Sequence, residues 1–368
     1  MPRSRLHELS TRGVSVWFDT LSRQLLTTGE LARMIEEDAV VGVTSNPTIF
    51  QKALATADLY DDQMRELGDE LDAREVFFAL AMDDIREACD LLRPVWDRTE
   101  GVDGFVSLEV DPTLAYDREA TYEQALRFHA EVERPNLYVK IPATQIGLTA
   151  IEDCIAQGKS INVTLIFSLQ RYAAVVEAYL RGLERLVAAG GDPGKVNSVA
   201  SFFVSRVDTE ADRRLEAVGR TDLQGRLAIA NAKLAYNHWT EAFAGERWEF
   251  LAAKGARSQR CLWASTSTKN PAYRDVMYVE ELIGPETVNT MPLETIRAFQ
   301  DHGEVRGDTL CEGLDDARRV LDELAEAGVD YDDVVDVLEA EGVQKFADSF
   351  AELMEGIEAK RAVVGAAR

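Results

Sequence analysis

The stretch NLYVKIPAT, Asn136 to Thr144, sets a lysine in the middle of an apolar strand pattern. Leu137, Val139 and Ile141 alternate with Tyr138 and Lys140, the period of a strand with two unlike faces, and Pro142 is expected to end its hydrogen-bond ladder. Such a lysine is either a solvent-facing charge or an amine kept inside for chemistry, since a buried ammonium is costly unless paired or deprotonated. Taken alone, the surface reading is the commoner one. The neighbouring runs change the balance. In VSVWFD, GFVSLEV, LYVKI and INVTLIF one parity is wholly apolar: Val14, Val16, Phe18; Val106, Leu108, Val110; Leu137, Val139, Ile141; Ile161, Val163, Leu165. The other parity carries Ser15, Trp17 and Asp19, then Phe105, Ser107 and Glu109, then Tyr138 and Lys140, then Asn162 and Thr164. By the same alternation Thr44 and Asn46, and further on Ser201 and Phe203, share that face. A single carboxylate at a strand end is usually a helix cap. Two carboxylates, an amine, amides and hydroxyls on one face form a chemical set. An uncharged lysine can attack a ketone and form a Schiff base, whose iminium draws electrons out of a nearby carbon–carbon bond while carboxylates carry the protons.

The elements that must hold these groups can be read from the same patterning. Strand signals fall at Val14 to Asp19, Val40 to Asn46, Gly104 to Val110, Leu137 to Ile141, Ile161 to Phe167, Val196 to Val204, Arg260 to Ser265 and Thr287 to Met291. Between them run amphipathic stretches such as SLQRYAAVVEAYLRGLERLVAA. Strand and helix in alternation imply parallel pairing with right-handed crossovers, and eight strands predict an α/β fold, a (β/α)8 TIM barrel. The polar groups lie toward the C-terminal halves of their strands, the end where such barrels place active sites. At 368 residues the chain exceeds a minimal barrel of about 250. The excess is assigned to helical insertions at about 47–103 and 208–259 and to a charged helical segment at about 292–368 that caps or flanks the barrel. No Pro-, Gly- or Ser-rich linker interrupts residues 1–368, so one domain is expected.

Composition removes several function classes. A net charge of −25 and a pI near 4.6 speak against nucleic acid and against an anionic membrane as partners. They leave room for a phosphorylated small molecule in a local basic pocket. The opening MPRSRLHELS lacks the apolar core of a signal peptide, and no run is long enough to span a membrane. Cys89, Cys154, Cys261 and Cys311 have no paired spacing and read as packed, reduced thiols of a cytoplasmic protein. His7, His129, His238 and His302 are scattered without metal-binding spacing, and neither dinucleotide nor P-loop glycine motifs occur, so no metal or cofactor is expected.

Seven motifs in order, FDT, GVTSNPTIF, VSLEVDPTLAYD, LYVKIPAT, INVTLIFS, ASFFVSRVD and LWASTSTKNP, resemble the transaldolase family in its longer bacterial form. The resemblance runs through nearly the whole chain. It implies a Schiff-base transferase of the pentose phosphate pathway that moves a dihydroxyacetone unit between phosphorylated sugars, with no cofactor, as a monomer or homodimer. It implies that Lys140 is the nucleophile, that Glu109 relays protons with Thr164 and a bound water, and that Asp19 handles the proton of the C4 hydroxyl. Asn46, Asn162, Ser201 and Phe203 are then substrate-binding, and Arg206 and Ser265 take the phosphate. Shorter family members carry an arginine two residues beyond that serine. This chain has Ser267 there, and Lys269 is expected to replace the charge. Related fructose 6-phosphate aldolases share the lysine but carry tyrosine at the position of Glu109. A sugar-phosphate-binding barrel without catalysis is the rival of another class, and it would not need the nucleophile and both proton carriers together.

Overall fold

All eight period-two stretches form strands. The structure is a computed structural model that describes residues 4–366 except 57 and 69. β1 (Val14–Phe18), β2 (Val40–Val43), β3 (Phe105–Glu109), β4 (Leu137–Pro142), β5 (Ile161–Ile166), β6 (Ser198–Phe203), β7 (Arg260–Ala264) and β8 (Thr287–Met291) pair in parallel and in chain order, and β8 closes on β1. This is the (β/α)8 barrel that the alternation implied. The interval between β2 and β3 folds into helices Pro47–Thr56, Asp61–Leu67 and Ala73–Arg98, and that between β6 and β7 into Ser205–Ala217, Leu227–Ala242 and Gly245–Ala252.

Outward-facing Val16, Val106, Leu137, Val139, Ile161 and Val163 are buried beneath the helices. Each such side chain removed from water contributes about 1.5–3 kcal/mol. Inside the lumen an aromatic layer fills the middle. Phe105 and Tyr138 stack at 4.1 Å between centroids, with Trp17 at 6.0 Å from Tyr138. Trp17 depends on Gly42 across the β1–β2 ladder, where a Cβ would stand 2.4 Å from the indole. That layer separates an N-terminal mouth from a C-terminal one.

Three expectations need correction. Pro142 does not end the ladder: β4 includes it, and Ala143 N donates to Thr164 O at 2.8 Å. Val139 N also donates toward β5, at 3.3 Å to Ser160 O, so the alternating N–H that proline lacks falls on the β3 side, where β3 stops at Glu109. Leu165 does not continue the outward series. It adopts φ +59° where the β5–β6 register shifts between Val163 and Ile166, and its side chain meets Gly342 of the C-terminal helix. Cys89, Cys154 and Cys261 are buried, but Cys311 is exposed at the end of the turn Thr309–Cys311.

The long helix Tyr331–Ala366 lies over the C-terminal mouth, against helices Pro47–Thr56 and Ala73–Arg98 and the end of β5. Phe346, Phe350, Leu353 and Ile357, three or four residues apart, turn one apolar stripe inward. Phe350 packs against Phe77 and Phe78 at 5.7 and 6.1 Å.

Candidate active site

Register places the reactive groups side by side. Glu109 of β3 pairs with Lys140 of β4, and Lys140 pairs with Asn162 of β5. Lys140 Nζ donates to Glu109 Oε2 at 3.1 Å and to the Ser45 carbonyl at 3.0 Å. Both side chains are almost wholly buried, and the Phe346 ring lies 5.9 Å from the Lys140 nitrogen. A line of hydrogen bonds runs behind them. Ser201 Oγ donates to Asn162 Oδ1 at 2.7 Å, Asn162 Nδ2 to Ser107 Oγ at 3.1 Å, and Ser45 Oγ to the Ser107 carbonyl at 2.7 Å. Such a network fixes the rotamer of each member, because a buried polar group without its partner is costly. Thr164 Oγ1 is the exception, buried with no protein partner.

Asp19 follows β1, its backbone N–H tied to Met291 O at 2.9 Å. Its carboxylate accepts from Thr44 Oγ1 at 2.7 Å, and Thr44 in turn meets Thr290 Oγ1 at 2.7 Å. Burial raises the pKa of Asp19, against the pull of the Thr44 hydroxyl, Lys140 and Arg206. Burial likewise raises that of Glu109, against the adjacent Lys140 ammonium. Two carboxyls lifted above their ordinary range in one lumen with an amine are suited to exchange protons with a reacting molecule.

A cleft of about 550 Å³ opens above Asp19, lined among others by Asn46, Arg206, Glu294, Lys345 and Phe346. Asn46 Oδ1 caps the next helix by accepting from Ile49 N at 3.1 Å, which turns its NH₂ group away from the cap. The Arg206 guanidinium lies 5.1 Å from the Phe203 ring centre, and burial lowers its pKa. Ser265 sits at φ +57° with its hydroxyl 2.8 Å from that of Ser205, so it stands beside Arg206 in sequence contact but is not among the residues lining the cleft. Lys269 is exposed, donates to Ser267 Oγ at 2.7 Å and lines a separate pocket with Asp208 and Tyr273. A larger cavity, about 720 Å³, opens at the N-terminal mouth between Trp239, Trp248, Arg257 and Arg260. Size alone would select that end; the amine and the two lifted carboxyls select the other.

Fold and site together are those of a barrel enzyme with a buried lysine–carboxylate pair at one mouth. The family model described as Transaldolase/Fructose-6-phosphate aldolase matches residues 16–357, and the chain belongs to that family. It is 55% identical over 353 residues to a transaldolase of Frankia alni, covering 95% of each chain. It is 55% identical over 355 residues to one of Acidothermus cellulolyticus, covering 96% of this chain and 95% of the other. A Mycobacterium bovis transaldolase is 51% identical over 357 residues, with 95% of each chain covered.

Several lining groups escaped the sequence reading. Ser45 acts through its backbone carbonyl, which no side-chain pattern reveals. Ser107 lay on the polar parity and could have been named as the partner of Asn162. Lys345 and Phe346 had no local signal, because the helix that carries them reaches the site from the far end of the chain.

Proposed function

We propose that the protein is a transaldolase that moves a dihydroxyacetone unit from sedoheptulose 7-phosphate or fructose 6-phosphate to glyceraldehyde 3-phosphate or erythrose 4-phosphate. The observation that carries this reading is the buried contact of Lys140 with Glu109, with Asp19 close enough to feel the Lys140 charge. Family membership and relatives named transaldolase support it.

The Lys140 amine, its extra proton passed to Glu109, attacks the C2 ketone of the donor. Glu109 then protonates the leaving hydroxyl, and water departs to leave an iminium. Thr164, with a buried hydroxyl that no protein group uses, orients that water. Asp19 takes the C4 hydroxyl proton. The C3–C4 bond breaks, its electron pair flows into the iminium to give an enamine, and the aldehyde leaves. An acceptor aldehyde next takes the C3 electrons, and Asp19 returns the proton to the new alkoxide. Water releases the product from Lys140. Asn46, Asn162 and Ser201 hold the dihydroxyacetone hydroxyls and Phe203 walls the site, while Arg206 binds phosphate with Ser265 and Lys269 nearby. A planar guanidinium suits phosphate because it can donate two parallel bonds. The glutamate at 109 favours this reading over a hydrolytic aldolase of the same family. Among the described residues no helix is long and apolar enough to cross a membrane. We place the enzyme in the cytoplasm as a monomer or homodimer.

Borohydride reduction after incubation with fructose 6-phosphate alone should leave a three-carbon adduct on Lys140, found by peptide mass spectrometry. Erythrose 4-phosphate added before reduction should discharge it. Folded protein with an unmodified Lys140 would overturn the proposal.

A further inference from the structure

We propose that Lys345, on the C-terminal helix, joins Arg206 to form a two-cation clamp for the substrate phosphate. This rests on the sugar-phosphate reading above and names a residue and an element that the motif resemblance does not supply.

The first observation is an imbalance of charge. Arg206 and Lys345 line one cleft, from opposite ends of the sequence. Neither takes part in an ion pair within 4.0 Å among the described residues. Other ion pairs made by the same helix are matched: its Glu339 takes Arg171 of the helix after β5 at 3.1 Å, and its Lys360 meets Asp61 at 3.0 Å. Asp19 and Glu294 also face the cleft, so it is not uniformly basic. In a chain of net charge −25, however, two cations without an ion pair in a cleft whose Phe346 wall lies 5.9 Å from Lys140 mark where a dianion is held. Lys269 senses both of them: burial, then Arg206 and Lys345, draw its pKa down, against Glu294 and Asp19.

The second observation is how the helix is seated. Gly342 lies against Leu165 and Phe167, where a Cβ would stand 3.2 Å from the nearest Leu165 carbon. Phe346, one turn further on, is buried with its ring facing Lys140. These two contacts set the helix's rotation about its axis, and the intervening Lys345 is carried to the rim of the cleft. The third is where Lys269 lies. Position 267 is serine, and Lys269 is drawn to it rather than to the cleft lined by Arg206. The second charge is therefore supplied by a different element.

The test uses the full chain and three proteins: wild type, Lys345→Ala and Lys345→Arg. Each is first shown to keep the wild-type melting temperature. Erythrose 4-phosphate and unphosphorylated erythrose serve as acceptors, and inorganic phosphate as a ligand in calorimetry. The alanine variant should raise KM for erythrose 4-phosphate roughly tenfold to a hundredfold, as for a charge-assisted contact, and leave kcat within about twofold. Its kcat/KM for erythrose should stay within that same margin, its phosphate binding should weaken in parallel, and arginine should restore most of both. Equal losses for the two acceptors would assign Lys345 a structural role and overturn the proposal. So would an unchanged KM for erythrose 4-phosphate. Phosphate binding needs no turnover. A wild type that binds phosphate through Lys345 but transfers nothing would leave the clamp standing and sink the transaldolase reading instead.

Discussion

The barrel lumen holds two cation–carboxylate pairs, one at each mouth, and they differ in what surrounds them. At the N-terminal mouth Arg260 donates to Asp103 at 3.0 Å, to Ser15 Oγ at 2.8 Å and to the Val102 carbonyl at 2.8 Å, while Ser15 donates to Asp103 at 2.9 Å. The four groups use one another up, and arginine cannot give away its proton. At the C-terminal mouth Lys140 meets Glu109 at much the same distance, 3.1 Å. There the cation is one that can deprotonate. Thr164 beside it has no protein partner, and a second carboxyl, Asp19, is lifted by burial. An ion pair closed on itself holds strands together. One whose cation can give up its proton, with an unpartnered hydroxyl and a second carboxyl in the same lumen, can exchange that proton with a guest.

The sharpest way to break this contrast is to remove each cation in turn. Lys140→Met should lower kcat by on the order of 10⁵-fold and abolish the borohydride adduct, since Lys140 is the amine buried against the proton-carrying carboxyl. Its melting temperature should change less than that of Arg260→Met, because Glu109 can take up a proton when its partner is gone. A smaller effect is expected for Glu109→Gln, a loss of roughly 10²–10⁴-fold in kcat/KM. In the wild type the acid limb of the pH–rate profile should lie above the ordinary glutamate range, because burial raises this pKa, and the limb should vanish in the variant. An unchanged limb would transfer the proton relay to another group. Arg260→Met should destabilise the fold by roughly 3 kcal/mol by leaving Asp103 without its cation, with turnover per folded molecule nearly intact. Denaturant titration and active-site counting separate the two.

A third buried carboxyl extends the comparison to the case of no cation at all. Asp208 accepts from Tyr278 OH at 2.7 Å and from Ala228 N at 2.8 Å, and burial pushes its pKa up to about 7. The folded state then keeps a proton that the unfolded chain releases near 3.8, so stability falls as pH rises through that window. Between pH 5 and 7 the fall should be about 2 kcal/mol, and Asp208→Asn should flatten it. Melting curves at the two pH values are enough to check this.

The parity of Lys140, Glu109 and Asn162 was legible because a strand alternates strictly, and Asp19, one residue past β1, meets Thr44 and lines the cleft at the same mouth. The strand positions were legible for the same reason. The exceptions have local causes. Leu165 leaves the series where the backbone turns to positive φ, which no propensity announces for leucine. Pro142 joins its strand because the N–H it lacks would face β3, which has already stopped at Glu109. Arg260 and Asp103, 157 residues apart, show no common pattern, although both lie at strand starts. Lys269 was named from its place along the chain, and Lys345, which lines the cleft, has no neighbour in sequence that would point to it.

The distances along the chain also impose an order of assembly. Glu109 and Lys140 are 31 residues apart, whereas Thr48 with Ser349 and Gln51 with Glu352, which fasten the C-terminal helix over the mouth, are each separated by 301. Loops of that length close late, after nearer contacts have formed. Folding therefore makes the reagent before it makes the enclosure. Warming should first loosen these two fastenings, one exposed and one half-buried, so that the helix lifts and sugar transfer fails before the buried strand pairs part.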